Sequence, residues 1–165
     1  IKPDARVELI EGEIIEMAPM GSPHGGTLTE LMHLFMRALE GTAGQLRVQT
    51  PIRLDNYSEP EPDLAVVVRR DGYYKKSHPG PREVLLLVEI GDSLANFDQR
   101  VKVPLYARHR IPEVWTVDLI HEKVHFFRSP RQSEYENVSV TATPGTTTLA
   151  ALPEVALDLT TLFAS

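Results

Sequence analysis

Two acids stand where apolar strands would otherwise run unbroken. Asp63 immediately precedes Leu64-Ala65-Val66-Val67-Val68, and Glu89 falls between Val84-Leu85-Leu86-Leu87-Val88 and Ile90. An ionised carboxylate inside such a strand loses several kcal/mol of hydration unless something compensates. The residues alone leave two compensations open: a salt bridge to Arg or Lys, and coordination of a metal ion. With a loop between them, the two strands can pair as neighbours and bring the carboxylates together. Like charges a few ångströms apart repel, so such a pair needs a cation beside it. Lys102 also has two readings. With Asp98 one turn earlier it forms an exposed i,i+4 ion pair worth a few tenths of a kcal/mol; facing the other way, it reaches back towards Glu89.

The elements that must hold these groups follow from periodicity. Val7 to Met17 alternates imperfectly about Glu11-Gly12, which predicts a β-hairpin with Gly12 at the turn. Leu28, Leu31, Met32, Phe35 and Leu39 recur at helical spacing and predict an amphipathic helix over 24–40, stopped by Gly41. Residues 48–54 read as a strand interrupted by Pro51. Ser58-Glu59-Pro60-Glu61-Pro62 must be extended, because each Pro fixes its own φ and restrains the residue before it. That segment delivers Asp63 to a strand over 64–68; a polar loop over 69–82 leads to a second strand over 84–90. Gly91, Asp92 and Ser93 supply turn and cap chemistry for a helix over 94–109, with a kink or restart at Pro104. Strands are predicted over 114–119 and 123–128 around a turn, then weaker β segments and an apolar stretch over 157–163. No repeat or linker interrupts this pattern, so one mixed α/β domain with a central sheet is expected over 1–165.

Composition removes several function classes. With 165 residues, 42% of them hydrophobic, the chain can bury a core. It has no Cys, which excludes disulfides, Cys-zinc sites and thiol nucleophiles. No apolar run approaches the ~20 residues of a membrane span and no signal peptide is visible, so a cytoplasmic protein with no membrane partner is expected. The opening Ile1 points to a native start further upstream. A net charge of −6 argues against coating nucleic acid by charge alone. His121 and His125 have i,i+4 spacing, which suits a metal on a helix, but they fall on a predicted turn and strand. His24 opens the first long helix and could approach the cleft, though an ordinary helix-start residue is the favoured reading; Ser22 and Ser93 read as caps, and Phe35, Tyr106 and Trp115 as core. Residues 21–26 do not form a phosphate-binding loop.

Glu61-Pro62-Asp63 before an apolar strand, then a strand ending Val88-Glu89-Ile90, resembles the PD-(D/E)XK nuclease superfamily. The wider set is closer to its Uma-type restriction endonuclease family, long known as a domain of unknown function. That set comprises Glu8-Leu9-Ile10-Glu11-Gly12-Glu13-Ile14, Met17-Ala18-Pro19, Gln49-Thr50-Pro51-Ile52, Ser93, Asp98, Lys102, Leu105-Tyr106-Ala107 and Ile111-Pro112-Glu113-Val114-Trp115-Thr116-Val117-Asp118. Each motif is weak alone; their order and spacing are specific. The resemblance implies a restriction endonuclease-like α/β fold, with a central mixed sheet flanked by helices and an N-terminal hairpin. It implies that Asp63 and Glu89 hold a divalent metal, Mg²⁺ with Mn²⁺ as substitute. The Ile90 carbonyl would be a backbone ligand and Glu13 an early acid completing the site. The superfamily's Lys two residues after the second acid is Gly91 here, and Lys102 matches the lysine that substitutes for it on the following helix. Gln49, Asp98 and Tyr106 would support the site. The implied function is hydrolysis of phosphodiester bonds, in DNA with RNA open, by a homodimer. The net charge, Gly91 and the want of a DNA-reading segment motivate an alternative: an inactive nuclease-fold interaction or regulatory module.

Overall fold

A computed structural model describes residues 4–92 and 99–164. The chain opens with a hairpin of β1 (Val7–Ile10) and β2 (Glu13–Glu16). Its turn places both Glu11 (φ 49°) and Gly12 (φ 84°) in the left-handed region, as a two-residue type I′ turn requires. Helix α1 (Ser22–Leu39) follows, with Gly41 at φ 75° just beyond its end. Its cap is Gly21, so Ser22 is the first helical residue rather than the cap expected of it.

The central sheet has six strands in chain order: β3 (Gly44–Val48), β4 (Leu64–Val68), β5 (Val84–Gly91), β6 (Glu113–Asp118), β7 (Lys123–Arg131) and β8 (Glu134–Thr141). All neighbours are antiparallel except β5 and β6, which are parallel and therefore need a crossover. Helix α2 (Gln99–Arg108) lies in that connection and continues through Pro104 without the expected restart. The predicted start of this helix, with Ser93 and Asp98, lies outside the described residues. The strand expected over 48–54 instead ends at Val48. Gln49 turns to φ 46° and Pro51 has no N–H to donate, so the chain leaves the ladder there. A last pair, β9 (Thr146–Thr148) and β10 (Ala156–Asp158), forms its own ribbon.

Strand alternation sorts the core onto two faces. Leu64, Val66, Leu86, Val88 and Ile90 pack with Leu28, Leu31, Phe35 and Leu39 of α1, roofed by Leu149, Leu152, Val155, Leu157 and Leu162. Ala65, Val67 and Leu87 pack with Val103, Leu105, Tyr106 and Ala107 of α2. Glu89 has the parity of Leu87 and so projects to the α2 side. Among the described residues no helix is long and apolar enough to cross a membrane.

Candidate active site

The N-terminal hairpin, α1, β5, α2 and the segment leading into β4 converge on a pocket of about 120 Å³ lined by charged groups, among them Glu8, His24, Asp63, Glu89 and Lys102. Asp63 arrives through the extended Pro60-Glu61-Pro62 segment and is 8% exposed. Its Oδ2 accepts the Ile90 N–H at 2.7 Å, tying the mouth of β4 to the end of β5. Its Oδ1 lies 2.8 Å from His24 Nε2 and 3.4 Å from Gln49 Nε2. Gln49 is held in turn by its own N–H, which donates to the Asp63 carbonyl at 2.9 Å.

Glu89 faces α2, where Lys102 and Tyr106 stand one turn apart on the same helical face. Lys102 Nζ donates to Glu89 Oε2 at 3.1 Å and to Glu8 Oε1 at 2.7 Å. Tyr106 donates its hydroxyl to Glu89 Oε1 at 2.9 Å. Glu8 Oε1 also accepts the Glu61 N–H at 2.9 Å, which fixes the hairpin over the approach to Asp63.

Glu8, Asp63 and Glu89 thus gather around Lys102 and His24, and Arg6, Glu16 and Glu61 complete the charged lining of the pocket. Burial raises the Glu89 carboxyl; Lys102 opposes the rise, and the charges of Asp63 and Glu8 add to it, leaving it at about 7. Burial alone would lower the Lys102 ammonium, yet Glu89 and Glu8 outweigh it and hold it above its usual range. The same contest raises His24: burial acts against the imidazolium, and Asp63 and Asp92 more than offset it. Burial pushes the Tyr106 hydroxyl well up, so it stays a donor.

A stability measurement follows. Glu89 binds its proton more tightly folded than at its ordinary 4.5, so its contribution is fully present below pH 4.5 and lost as pH rises through about 7. Lys102 is charged in both states across that window and adds no slope; His24, also raised, adds to the fall above 6.5. In chelator, the Glu89 part amounts to about 3 kcal/mol at most between pH 4.5 and 8. Thermal melts at the two pH values should show Glu89→Gln losing that part of the fall while gaining stability at pH 8. A variant with the wild-type slope would refute the assignment of the proton to Glu89.

The structure brings together Asp63, Glu89, Ile90, Gln49 and Lys102 as pocket residues, with Tyr106 behind them. It does not bring Glu13: that residue is exposed at the start of β2, across from Ile10, and is absent from the pocket lining. Glu8, on the partner strand, occupies the pocket instead. The signal for it was parity, because Glu8 shares a face with the buried Ile10. His24, where the sequence favours a helix-start reading over an approach to the cleft, also lines the pocket. It lies four and seven residues before Leu28 and Leu31, on the apolar face of α1, where a polar ring must find a partner. Asp98 lies outside the described residues. His121 is paired with Asp118 at 2.8 Å and His125 stacks on Phe127, with neither lining the pocket.

The donor set suits a hard divalent cation: carboxylates in excess of their ammonium partner, a backbone position at Ile90, and no thiol. Among the described residues no three Asp, Glu or His side chains already form a cage. Each oxygen of Asp63 and Glu89 accepts a hydrogen bond, so a cation would draw on their remaining lone pairs.

The model of the family described as Uma2, "Putative restriction endonuclease", matches residues 1–160. The crystal structure of a putative nuclease belonging to DUF820 from Anabaena variabilis is similar at TM-score 0.77 and 15% identity, over 99% of this chain and 93% of that one. At that identity the likeness speaks for the fold. No curated protein matches the chain.

Proposed function

The chain belongs to the Uma2 family, and from that premise we propose that it is a divalent-metal-dependent endonuclease hydrolysing phosphodiester bonds in DNA. The observation that carries the reading is Lys102 Nζ at 3.1 Å from Glu89, beside Asp63, although the strand position that would ordinarily bear the lysine is Gly91. Asp63, Glu89 and the Ile90 carbonyl would hold Mg²⁺ or Mn²⁺, with Glu8 as the neighbouring third acid. Bound there, the ion would lower the pKa of an attacking water and offset charge developing on the phosphate. Lys102 orients that water and donates to the developing oxyanion. Tyr106 keeps Glu89 turned towards Lys102, and Gln49 steadies Asp63. Arg6, at the pocket edge and 3.3 Å from Glu61, is placed to meet a substrate phosphate. Assembly as a homodimer, one site per strand of a duplex, belongs to the same proposal.

Incubation with supercoiled plasmid and with single-stranded DNA tests it. Cleavage is expected with Mg²⁺ or Mn²⁺ and not in chelator, and Asp63→Ala should lower it by at least ~100-fold. Undiminished cleavage by that variant would remove Asp63 from the reaction.

A further inference from the structure

One cluster in contact with the pocket has no part in the chemistry above. His24, 7% exposed on the first turn of α1, lies with Nε2 2.8 Å from Asp63 Oδ1 and Nδ1 3.8 Å from Asp92 Oδ1. The other oxygen of Asp92 accepts the N–H of Gly21, the residue that caps α1, at 2.8 Å. A Cβ at Gly21 would stand 3.1 Å from that oxygen, so the approach favours glycine. Asp92 thus joins the end of β5 to the start of α1, and the imidazole, close to Asp92 but without a hydrogen bond to it, joins α1 to the mouth of β4.

The consequence falls on Asp63. Its Oδ2 is pinned by a backbone donor at Ile90, and its Oδ1 by the His24 ring. A carboxylate held at both oxygens does not rotate about its Cβ–Cγ bond, and its remaining lone pairs keep one direction. Groups that orient metal-holding side chains in this way matter to affinity without touching the ion. We infer that His24 is a positioning residue: its Nε2–H fixes the Asp63 carboxylate towards the pocket, while Asp92, bonded to the Gly21 N–H, holds the first turn of α1 in place. The inference rests on the reading of Asp63 as a cation ligand. It differs from simple charge neutralisation, because a neutral side chain that donates from the same place should serve as well.

Calorimetric titration of Mn²⁺ into the full chain decides it, comparing wild type, His24→Ala and His24→Gln. The glutamine amide keeps a donor near the position of Nε2 and cannot carry the charge. His24→Ala is expected to weaken Mn²⁺ binding by about 10- to 100-fold, and His24→Gln to stay within about threefold of wild type. Should His24→Ala not fold, His24→Phe fills the space without a donor and carries the same expectation. Binding by the alanine or phenylalanine variant equal to or tighter than wild type would overturn the inference. So would a glutamine variant as weak as they are. Wild type that takes up no Mn²⁺ would remove the cation reading and this inference together. Wild type that binds, with variants unaffected, removes the inference alone.

Discussion

Replacing Lys102 by alanine should lower the rate of plasmid cleavage by on the order of 10²- to 10³-fold while leaving cation binding as tight as before, or tighter. The two halves of that result have separate causes. Lys102 holds both Glu8 and Glu89, at 2.7 and 3.1 Å, and is the one lysine lining the pocket among the described residues. Its ammonium competes with any added cation for the same carboxylates, so its removal favours the metal. It is also the donor best placed to meet charge building on a phosphate, so its removal slows the reaction. Asp63→Ala is expected to lose both binding and rate, which separates the two roles. Lys102→Arg should not restore activity: a planar, forked guanidinium does not occupy the space of a compact ammonium between two acids. Single-turnover cleavage alongside Mn²⁺ calorimetry is the check. A Lys102→Ala variant cleaving at the wild-type rate would mean that the chemistry uses another cation.

The largest effect on stability is expected far from the pocket, at Glu113. This residue is wholly buried at the start of β6, and three donors converge on its carboxylate. Oε2 accepts from Trp115 Nε1 and Arg128 Nε, both at 2.8 Å, and Oε1 accepts the Ala150 N–H at 2.9 Å. It therefore ties β6 to β7 and to the C-terminal segment whose leucines roof the α1 core. Glu113→Ala leaves a guanidinium, an indole N–H and a backbone N–H without their acceptor. The expected cost is about 3–5 kcal/mol, which for a domain of this size lowers the melting temperature by roughly 10 °C. Limited proteolysis should then cut the chain beyond β8 first, because that segment loses its anchor. A melting temperature within about 2 °C of wild type would show that the carboxylate is dispensable.

Local information made much of the fold legible. The apolar runs over 64–68 and 84–90 became β4 and β5 almost residue for residue, since a continuous β-branched stretch between turn residues has few other stable fates. The spacing of Leu28, Leu31, Phe35 and Leu39 defined α1 and the face it buries. Asp63 and Glu89 were visible as acids for the same reason: a charge stands out against a pattern that is otherwise uniform. Where sequence reading went astray, the missing quantity was orientation. It placed a strand over 48–54 where β3 spans Gly44–Val48, because the left-handed turn at Gln49 has no Gly to announce it.

The chain by itself thus marked two carboxylates on strands that could pair as neighbours, a juxtaposition that needs a cation beside it. Only the tertiary structure decided which groups answer them. Glu8 and Glu13 lie on the two strands of one hairpin, and the pairing of Glu13 with Ile10 gives both the same face; docking, not register or composition, buried Glu8 and left Glu13 in solvent. Lys102 faces Glu89 because the parallel β5–β6 crossover lays α2 on that side of the sheet. His24 meets Asp63 because α1 packs on the opposite face with its first turn at the mouth of β4. Each of these contacts joins residues far apart in the chain. Their geometry depends on how whole elements pack, and no window of neighbouring residues contains that.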